Sequence, residues 1–226
     1  MLDKDIREPL FDYLDERYGK VRIFEEKVIH GSRADVLAIT DSCIIGLEIK
    51  SDNDTYTRLS SQIKDYESFC DLCYVAVGQS HIQVEKHVPD YWGIIVVTPE
   101  NVIVDRDAGV NPHVKINNQL EILWRKELLN IQLKEGLPKL SNYKRKDIYK
   151  RLIETCGEPT VKADITEQLF ERDYTVYDMI AGSTTENKRF VKTKKGVKVK
   201  RKRKKKIDYG DRSRAHVTNY IGKRNK

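Results

Sequence analysis

The sequence contains no run of about 18 apolar residues, the length at which a segment becomes a candidate membrane-spanning helix. Its first residues, MLDKDIREPLFDYL, are charged from the third position onward and lack the apolar middle of a secretory signal. These absences predict a cytoplasmic protein without a membrane partner.

Cysteine is scarce, with four residues in 226: Cys43, Cys70, Cys73 and Cys156. Cys70 and Cys73 form one CxxC pair, whereas a structural zinc site usually requires a second pair. An iron–sulfur cluster would need all the thiols, and Cys43 lies in an apolar strand pattern, so buried free cysteines are favoured over metal ligation. The histidines form no HxH or HxxxH pair, and no GxxxxGK[ST] or GxGxxG motif occurs. This argues against a histidine metal site, an ATPase motor and a dinucleotide enzyme.

Acidic residues are absent from positions 188–206, KRFVKTKKGVKVKRKRKKK, which hold 13 Lys or Arg. Residues 1–187 carry 24 basic and 33 acidic side chains, a net charge of −9, so the overall charge of +7 belongs to the tail. Such a run binds polyanions by releasing their counterions. A localisation signal and ribosome-like RNA binding are rival interpretations. The nucleic-acid contacts predicted in the tail are Lys200, Arg201, Lys202, Arg203 and Lys204.

Apolar periodicity predicts an α/β domain. A helix is expected over 3–18, and a helical pattern runs from 55 to 69 before a short helical segment at 80–88. Strands are expected over 21–29, 34–39, 42–50, 72–78, 93–97 and 101–105. Short turns between the first three strands favour an antiparallel meander, and the whole order favours a mixed sheet with helices packed on it.

The C-terminal part is predicted to be helical and then flexible. One helix, QLEILWRKELLNIQLKE, should close the domain after residue 118. Two shorter helices at 144–156 and 160–173 could imitate a DNA-binding helix-turn-helix, but their mixed charge favours a packing role. The predicted organisation is a core over 1–140, a helical extension over 141–187 and a flexible nucleic-acid-binding tail over 188–226.

Three charged residues are expected to converge at the end of the meander. Glu48 and Lys50 share one face of their strand because side chains alternate. Asp35 begins the preceding strand, and in an antiparallel pair joined near residue 41 the start of one strand lies opposite the end of the other. An ordinary salt bridge at a strand end is the alternative for Glu48 and Lys50.

This trio suits metal-dependent phosphodiester hydrolysis. Asp35, Glu48 and the backbone carbonyl of Ile49 offer hard oxygen ligands to Mg²⁺, with Mn²⁺ as a substitute. Lys50 can orient the attacking water or stabilise developing negative charge.

The stretch RADVLAI…GLEIK, carrying Asp35, Glu48 and Lys50, resembles the signature of the PD-(D/E)XK nuclease superfamily, with Ala34 where the motif has proline. Gln62 and Tyr66 in the following helix resemble the QxxxY motif of RecB-type nucleases. The likeness covers roughly residues 3–135 and includes a group of short bacterial and phage proteins that are predicted nucleases. It implies a restriction-endonuclease-like sheet, and it implies that Gln62 and Tyr66 face the active site and DNA.

The resemblance also implies an additional metal ligand, because many members use a glutamate of the first helix. Glu8 is the expected residue, and Glu25 and Glu26 are competitors. Arg33 and Arg58 are candidate DNA contacts, although Arg33 could belong to a plain turn and Arg58 could pair with nearby aspartates.

Asp52 and Asp54 follow the strand directly, where ordinary turn chemistry is favoured over an extended acidic cluster.

The sequence therefore predicts a Mg²⁺-dependent deoxyribonuclease that binds DNA. A non-catalytic nucleic-acid-binding or interaction module on the same fold and an RNA-cleaving nuclease are the alternatives. Endonuclease or exonuclease action, substrate structure, biological pathway and a homodimer all stay open at this point.

Overall fold

The computed structural model describes residues 1–29, 31–140 and 142–173. The helices are α1 Asp3–Tyr18, α2 Leu59–Phe69, a 3₁₀ helix Gln79–His87, α3 Ile116–Ile122, α4 Arg125–Lys134, α5 Arg145–Cys156 and α6 Glu158–Phe170. The strands are β1 Arg22–Ile29, β2 Ser32–Ile39, β3 Ile44–Lys50, β4 Leu72–Val77, β5 Gly93–Val97 and β6 Val102–Arg106. The basic tail, including Lys200–Lys204, and residues 174–187 lie outside the described residues.

The six strands form one sheet in the order β1-β2-β3-β4-β5-β6. The pairs β1–β2, β2–β3 and β5–β6 are antiparallel, and the pairs β3–β4 and β4–β5 are parallel. Helix α2 makes the crossover between β3 and β4, as a parallel connection requires. The predicted α/β class, with a mixed sheet flanked by helices and an antiparallel meander at its start, is confirmed.

The hydrophobic core lies between α1 and one face of the sheet. Ile6, Leu10 and Leu14 of α1 pack against the alternate strand residues that point to that side. Those strand residues include Val36, Ala38, Ile45, Leu47, Ile49, Ala76, Ile95 and Val97. Because alternation is strict, Gly46, Glu48 and Lys50 point to the other face, where α2 packs.

The starts of β2 and α2 differ from the predicted ones. Ser32 and Arg33 were expected in a loop, but both belong to β2 and pair with Ile29 and Val28. Helix α2 begins at Leu59 rather than Thr55, because the residues after β3 form a turn first. Asp54 closes that turn by accepting hydrogen bonds from the backbone amide and hydroxyl of Ser51, at 2.8 and 2.7 Å. The turn interpretation of this segment agrees with the structure.

The single helix predicted after residue 118 is wrong, since the chain breaks between α3 and α4. Arg145 of α5 donates to the carbonyl oxygens of Leu120 and Leu123 at the end of α3, at 3.2 and 2.7 Å. Glu127 accepts the backbone amide of Trp124, at 2.6 Å, and so begins α4. These polar contacts satisfy backbone groups that a continuous helix would have used internally.

Helices α5 and α6 pack against the domain through buried apolar side chains, including Leu152 and Ile165. Gly157 separates them and has φ +79°, a conformation that suits glycine. Thr166 links α6 to the β2–β3 turn, since its Oγ1 lies 3.1 Å from the carbonyl oxygen of Asp41 and 2.9 Å from that of Ala163. The packing role predicted for both segments therefore agrees with the structure.

Over the described ranges, every helix falls short of the length and apolar character that a membrane crossing would need.

Candidate active site

Glu48, Lys50 and Gln62 form a buried polar group between β3 and α2. The Nζ atom of Lys50 donates to Glu48 Oε1 at 2.7 Å and to Gln62 Oε1 at 3.1 Å. Gln62 Nε2 donates to the same Glu48 oxygen at 2.5 Å. The side chains of Glu48 and Lys50 are only 1% and 8% exposed, so this is a desolvated ion pair rather than the solvated salt bridge considered as an alternative.

Asp35 lies opposite Glu48, as the predicted antiparallel pairing requires. The neighbouring residues Val36 and Leu47 are register partners, which places Asp35 beside Glu48 across the β2–β3 pair. One oxygen of Asp35, Oδ2, accepts the backbone amide of Ile49 at 2.9 Å. The carboxyl group is thereby held in one orientation beside Glu48.

Tyr66 connects α2 to both strands of this pair. Its hydroxyl accepts the backbone amide of Asp35 at 2.9 Å and donates to the carbonyl oxygen of Leu47 at 3.1 Å. Burial, together with the charges of Glu48 and Asp35, raises the pKa of Tyr66, so the hydroxyl keeps its proton. The role of Tyr66 in this structure is to hold Asp35 and β3 in place.

Gly46 allows α2 to approach the sheet this closely. A Cβ atom at this position would lie 2.5 Å from Tyr66 Cδ1 and 2.6 Å from Cys70 Sγ. The absence of a side chain therefore determines how near the QxxxY face of α2 comes to Glu48 and Lys50.

The electrostatics of the site are dominated by two neighbouring carboxyl groups that are partly or fully buried. Burial, then the negative charge of Glu48, raises the pKa of Asp35 from its ordinary value of 3.8 to about 7. The Ile49 amide and the positive charge of Arg7 oppose this rise. Near neutral pH a proton or another cation beside Asp35 therefore stabilises the site.

Asp35 and Glu48 are the two carboxylates of this site that could hold a hard divalent cation. Glu48 Oε2 is buried and has no hydrogen-bond partner among the described residues. In the part of the chain that is described, no group of three or more His, Cys, Asp or Glu side chains is arranged to hold a metal ion. Mg²⁺ commonly binds through one or two carboxylates and keeps several waters, so Asp35 and Glu48 are the residues that could hold it.

The predicted ligand from the first helix is not brought to Asp35 and Glu48. Glu8 is exposed on α1, and Arg7 turns toward the sheet instead. Arg7 donates to the carbonyl oxygen of Asp35 at 3.2 Å and forms ion pairs with Glu25 and Glu26 at 3.3 and 2.8 Å. Both competitors are therefore engaged by a guanidinium beside Asp35, and this face of α1 supplies a cation where a carboxylate was expected.

Glu26 lies in a strained part of β1. Its φ is +53°, a conformation that costs energy in residues other than glycine. It also pairs with the exposed Arg33, whose Nε lies 2.5 Å from Glu26 Oε2. Arg33 thus has a carboxylate partner on the surface, and Arg58 is exposed directly before α2. The DNA contacts predicted for both arginines stay predictions.

Sequence reasoning missed Arg7 and also missed the aromatic neighbours of the β3–α2 loop. A helical projection would have found Arg7, because it lies three and seven residues before the buried Leu10 and Leu14. His81 contacts the loop through Tyr56 and Ser51, at 2.7 and 2.8 Å. No local pattern relates these positions, since they are brought together by the crossover to β4.

A family model for the bacteriophage P4 cII protein matches residues 2–190. Among solved structures, the chain is similar to a protein of unknown function from Silicibacter pomeroyi, at 19% identity and a TM-score of 0.40, over 49% of this chain and 73% of that one. No curated protein matches. Since the family match spans most of the 226 residues, the chain belongs to the bacteriophage P4 cII protein family.

Proposed function

We propose that this protein is a metal-dependent nuclease of the PD-(D/E)XK type that hydrolyses DNA phosphodiester bonds. The observation that carries the proposal is the buried contact of Lys50 with Glu48 and Gln62, with Asp35 held directly opposite. Burying a lysine and two facing carboxylates costs folding free energy, which favours a functional reason for their presence. A partly desolvated carboxyl group with a raised pKa, such as that of Asp35, is typical of functional sites.

Each residue has a distinct part in the proposed reaction. Asp35 and Glu48 would hold Mg²⁺ or Mn²⁺, which would lower the pKa of a bound water and neutralise charge on the phosphate. Lys50 would orient the attacking water and stabilise the developing negative charge from a fixed position. Gln62 would hold Lys50 and Glu48 together, and Tyr66 would keep Asp35 in register with them.

The proposal is tested by cleavage of linear, circular, single-stranded and branched DNA with Mg²⁺ or Mn²⁺. Glu48→Gln keeps the shape of the side chain but removes its charge, so it should abolish cleavage while leaving the circular-dichroism spectrum unchanged. Glu67→Gln is a matched control, because Glu67 also accepts side-chain hydrogen bonds on α2, from Tyr91 and Trp92 at 2.5 and 3.3 Å. Equal cleavage by both variants would contradict the proposal.

The same assays separate the two alternative functions. Cleavage of RNA but not DNA would assign the site to ribonucleic acid. Absence of cleavage on every polymer, with no calorimetric Mg²⁺ binding that depends on Asp35 and Glu48, would assign the fold to a binding module.

A further inference from the structure

Three aromatic rings lie together beside the candidate active site. Tyr56 belongs to the loop between β3 and α2, and His81 and His87 belong to the 3₁₀ helix after β4. The rings of Tyr56 and His87 stack with centroids 4.1 Å apart and an interplanar angle of 25°. His81 meets the same tyrosine edge-on, with centroids 5.1 Å apart. We call these three residues the aromatic platform.

Hydrogen bonds fix the inner part of the platform. His81 Nε2 lies 2.8 Å from the carbonyl oxygen of Ser51, which can only accept, so Nε2 carries the proton. His81 Nδ1 is then the acceptor for the Tyr56 hydroxyl at 2.7 Å in the neutral ring. Burial raises the pKa of Tyr56, which keeps this hydroxyl protonated. Tyr56 is thereby held in one orientation although it lies in a loop.

The platform lies at the sheet edge where Lys50 ends β3. Lys50 and Val77 are register partners at the ends of two parallel strands, so the segments that follow them emerge at the same edge. Ser51 follows Lys50 directly and accepts the hydrogen bond from His81. The amide of Gly78 also reaches the Lys50 carbonyl oxygen, at 3.4 Å. The platform is therefore connected to Lys50 through Ser51, the next residue in the chain.

The outer part of the platform is open. His87 is exposed although Tyr56 covers one side of its ring, while Tyr56 and His81 are half-buried. Two exposed cations lie close in sequence to the stacked pair: Lys86 directly precedes His87, and Arg58 is two residues after Tyr56. Stacked rings with adjacent positive charge have the composition of surfaces that hold unpaired nucleobases and their phosphates.

We propose that the aromatic platform stacks an unpaired nucleobase next to the scissile phosphate, so that the preferred substrate is a single strand or an unpaired end. The position next to a scissile phosphate rests on the proposed nuclease function. Its physical content is a binding preference, because a base inside a duplex has both faces covered by its neighbours and cannot stack on His87.

The experiment measures binding without cleavage. The full-length protein is titrated, in EDTA and about 200 mM salt, against a fluorescein-labelled single-stranded 12-mer and the blunt duplex of the same sequence. His87→Ala should weaken single-strand binding about tenfold, in line with the 1–3 kcal/mol typical for stacking one base. Duplex binding should change less than twofold, because charge rather than stacking holds the duplex. His87→Phe keeps an aromatic face and should restore single-strand binding.

A matched control is His113→Ala. His113 is also an exposed histidine beside a tyrosine, Tyr91, with ring centroids 6.0 Å apart. Tyr91 precedes β5 and lies at the opposite edge of the sheet from Lys50. His113→Ala should therefore leave both affinities unchanged.

The possible outcomes separate the platform from the nuclease. Equal effects of His87→Ala and His113→Ala, or an equal loss of single-strand and duplex binding, would overturn the platform. A selective loss of single-strand binding in a protein that cleaves nothing supports the platform and rejects the nuclease. A single-stranded RNA of the same sequence should show the same dependence on His87, because stacking does not read the sugar.

Discussion

Replacing Asp35 with asparagine should stabilise the metal-free protein at neutral and alkaline pH. In the folded protein the pKa of Asp35 is raised from 3.8 to about 7, mainly by burial and next by the charge of Glu48. A group that binds its proton more tightly when folded loses folding stability as pH rises. The loss therefore begins near pH 4, grows up to about pH 7 and is complete above that value.

The size of the effect follows from the same numbers. One pKa unit corresponds to about 1.4 kcal/mol, so the rise from 3.8 to about 7 sets an upper bound of about 4 kcal/mol. Asp35 is half-buried and retains part of its hydration, so we expect a gain of about 2 kcal/mol for Asp35→Asn at pH 8. In a protein of this size that gain raises Tm by roughly 4–8 °C. Asparagine can still accept the Ile49 amide and can donate to Glu48.

The assay is thermal unfolding in EDTA across a series from pH 5 to pH 8, followed by circular dichroism. The advantage of Asp35→Asn should grow with pH, and Asp41→Asn is the control because the Asp41 side chain is 78% exposed. Mg²⁺ at 100 times Kd should add about 2.7 kcal/mol to the free energy of unfolding of the original protein and so raise its Tm, and it should act weakly on the variant. A variant less stable than the original at pH 8, or an advantage equal at pH 5 and pH 8, would refute the reasoning.

Three further changes test other parts of the structure. Gly46→Ala should lower the free energy of unfolding by about 1–3 kcal/mol and impair cleavage, because its Cβ would displace Tyr66. Urea unfolding and nuclease assays measure the two effects, and an unchanged variant would contradict the close packing of α2 on Gly46. Lys50→Ala should lower the free energy of unfolding, measured with urea, by about 3 kcal/mol, because Glu48 is left buried without its cation. Adding Glu48→Gln should recover part of that loss, and no recovery would mean that the two residues are not energetically coupled. Removing residues 188–226 takes away 18 Lys or Arg. In a fluorescence titration this deletion should weaken DNA binding and make the affinity less dependent on salt concentration. An unchanged salt dependence would place the main phosphate contacts elsewhere.

The sequence alone determined the central part of the candidate site, because its geometry is local. A short turn forces β2 and β3 into an antiparallel pair, and alternation along that pair places Asp35 beside Glu48 and Lys50. Gln62 and Tyr66 share a helical face because they are four residues apart. Strand order within the meander and the positions of most helices follow from the same short-range periodicities.

Only the tertiary structure decided which side chains surround that centre. The rotation of α1 about its axis, set by packing Leu10 against the sheet, presents Arg7 rather than Glu8 to Asp35. The β3–α2–β4 crossover brings His81 to Tyr56 from 25 positions away. Such contacts depend on how whole elements pack, and packing energy is summed over many distant residues rather than encoded in a local spacing.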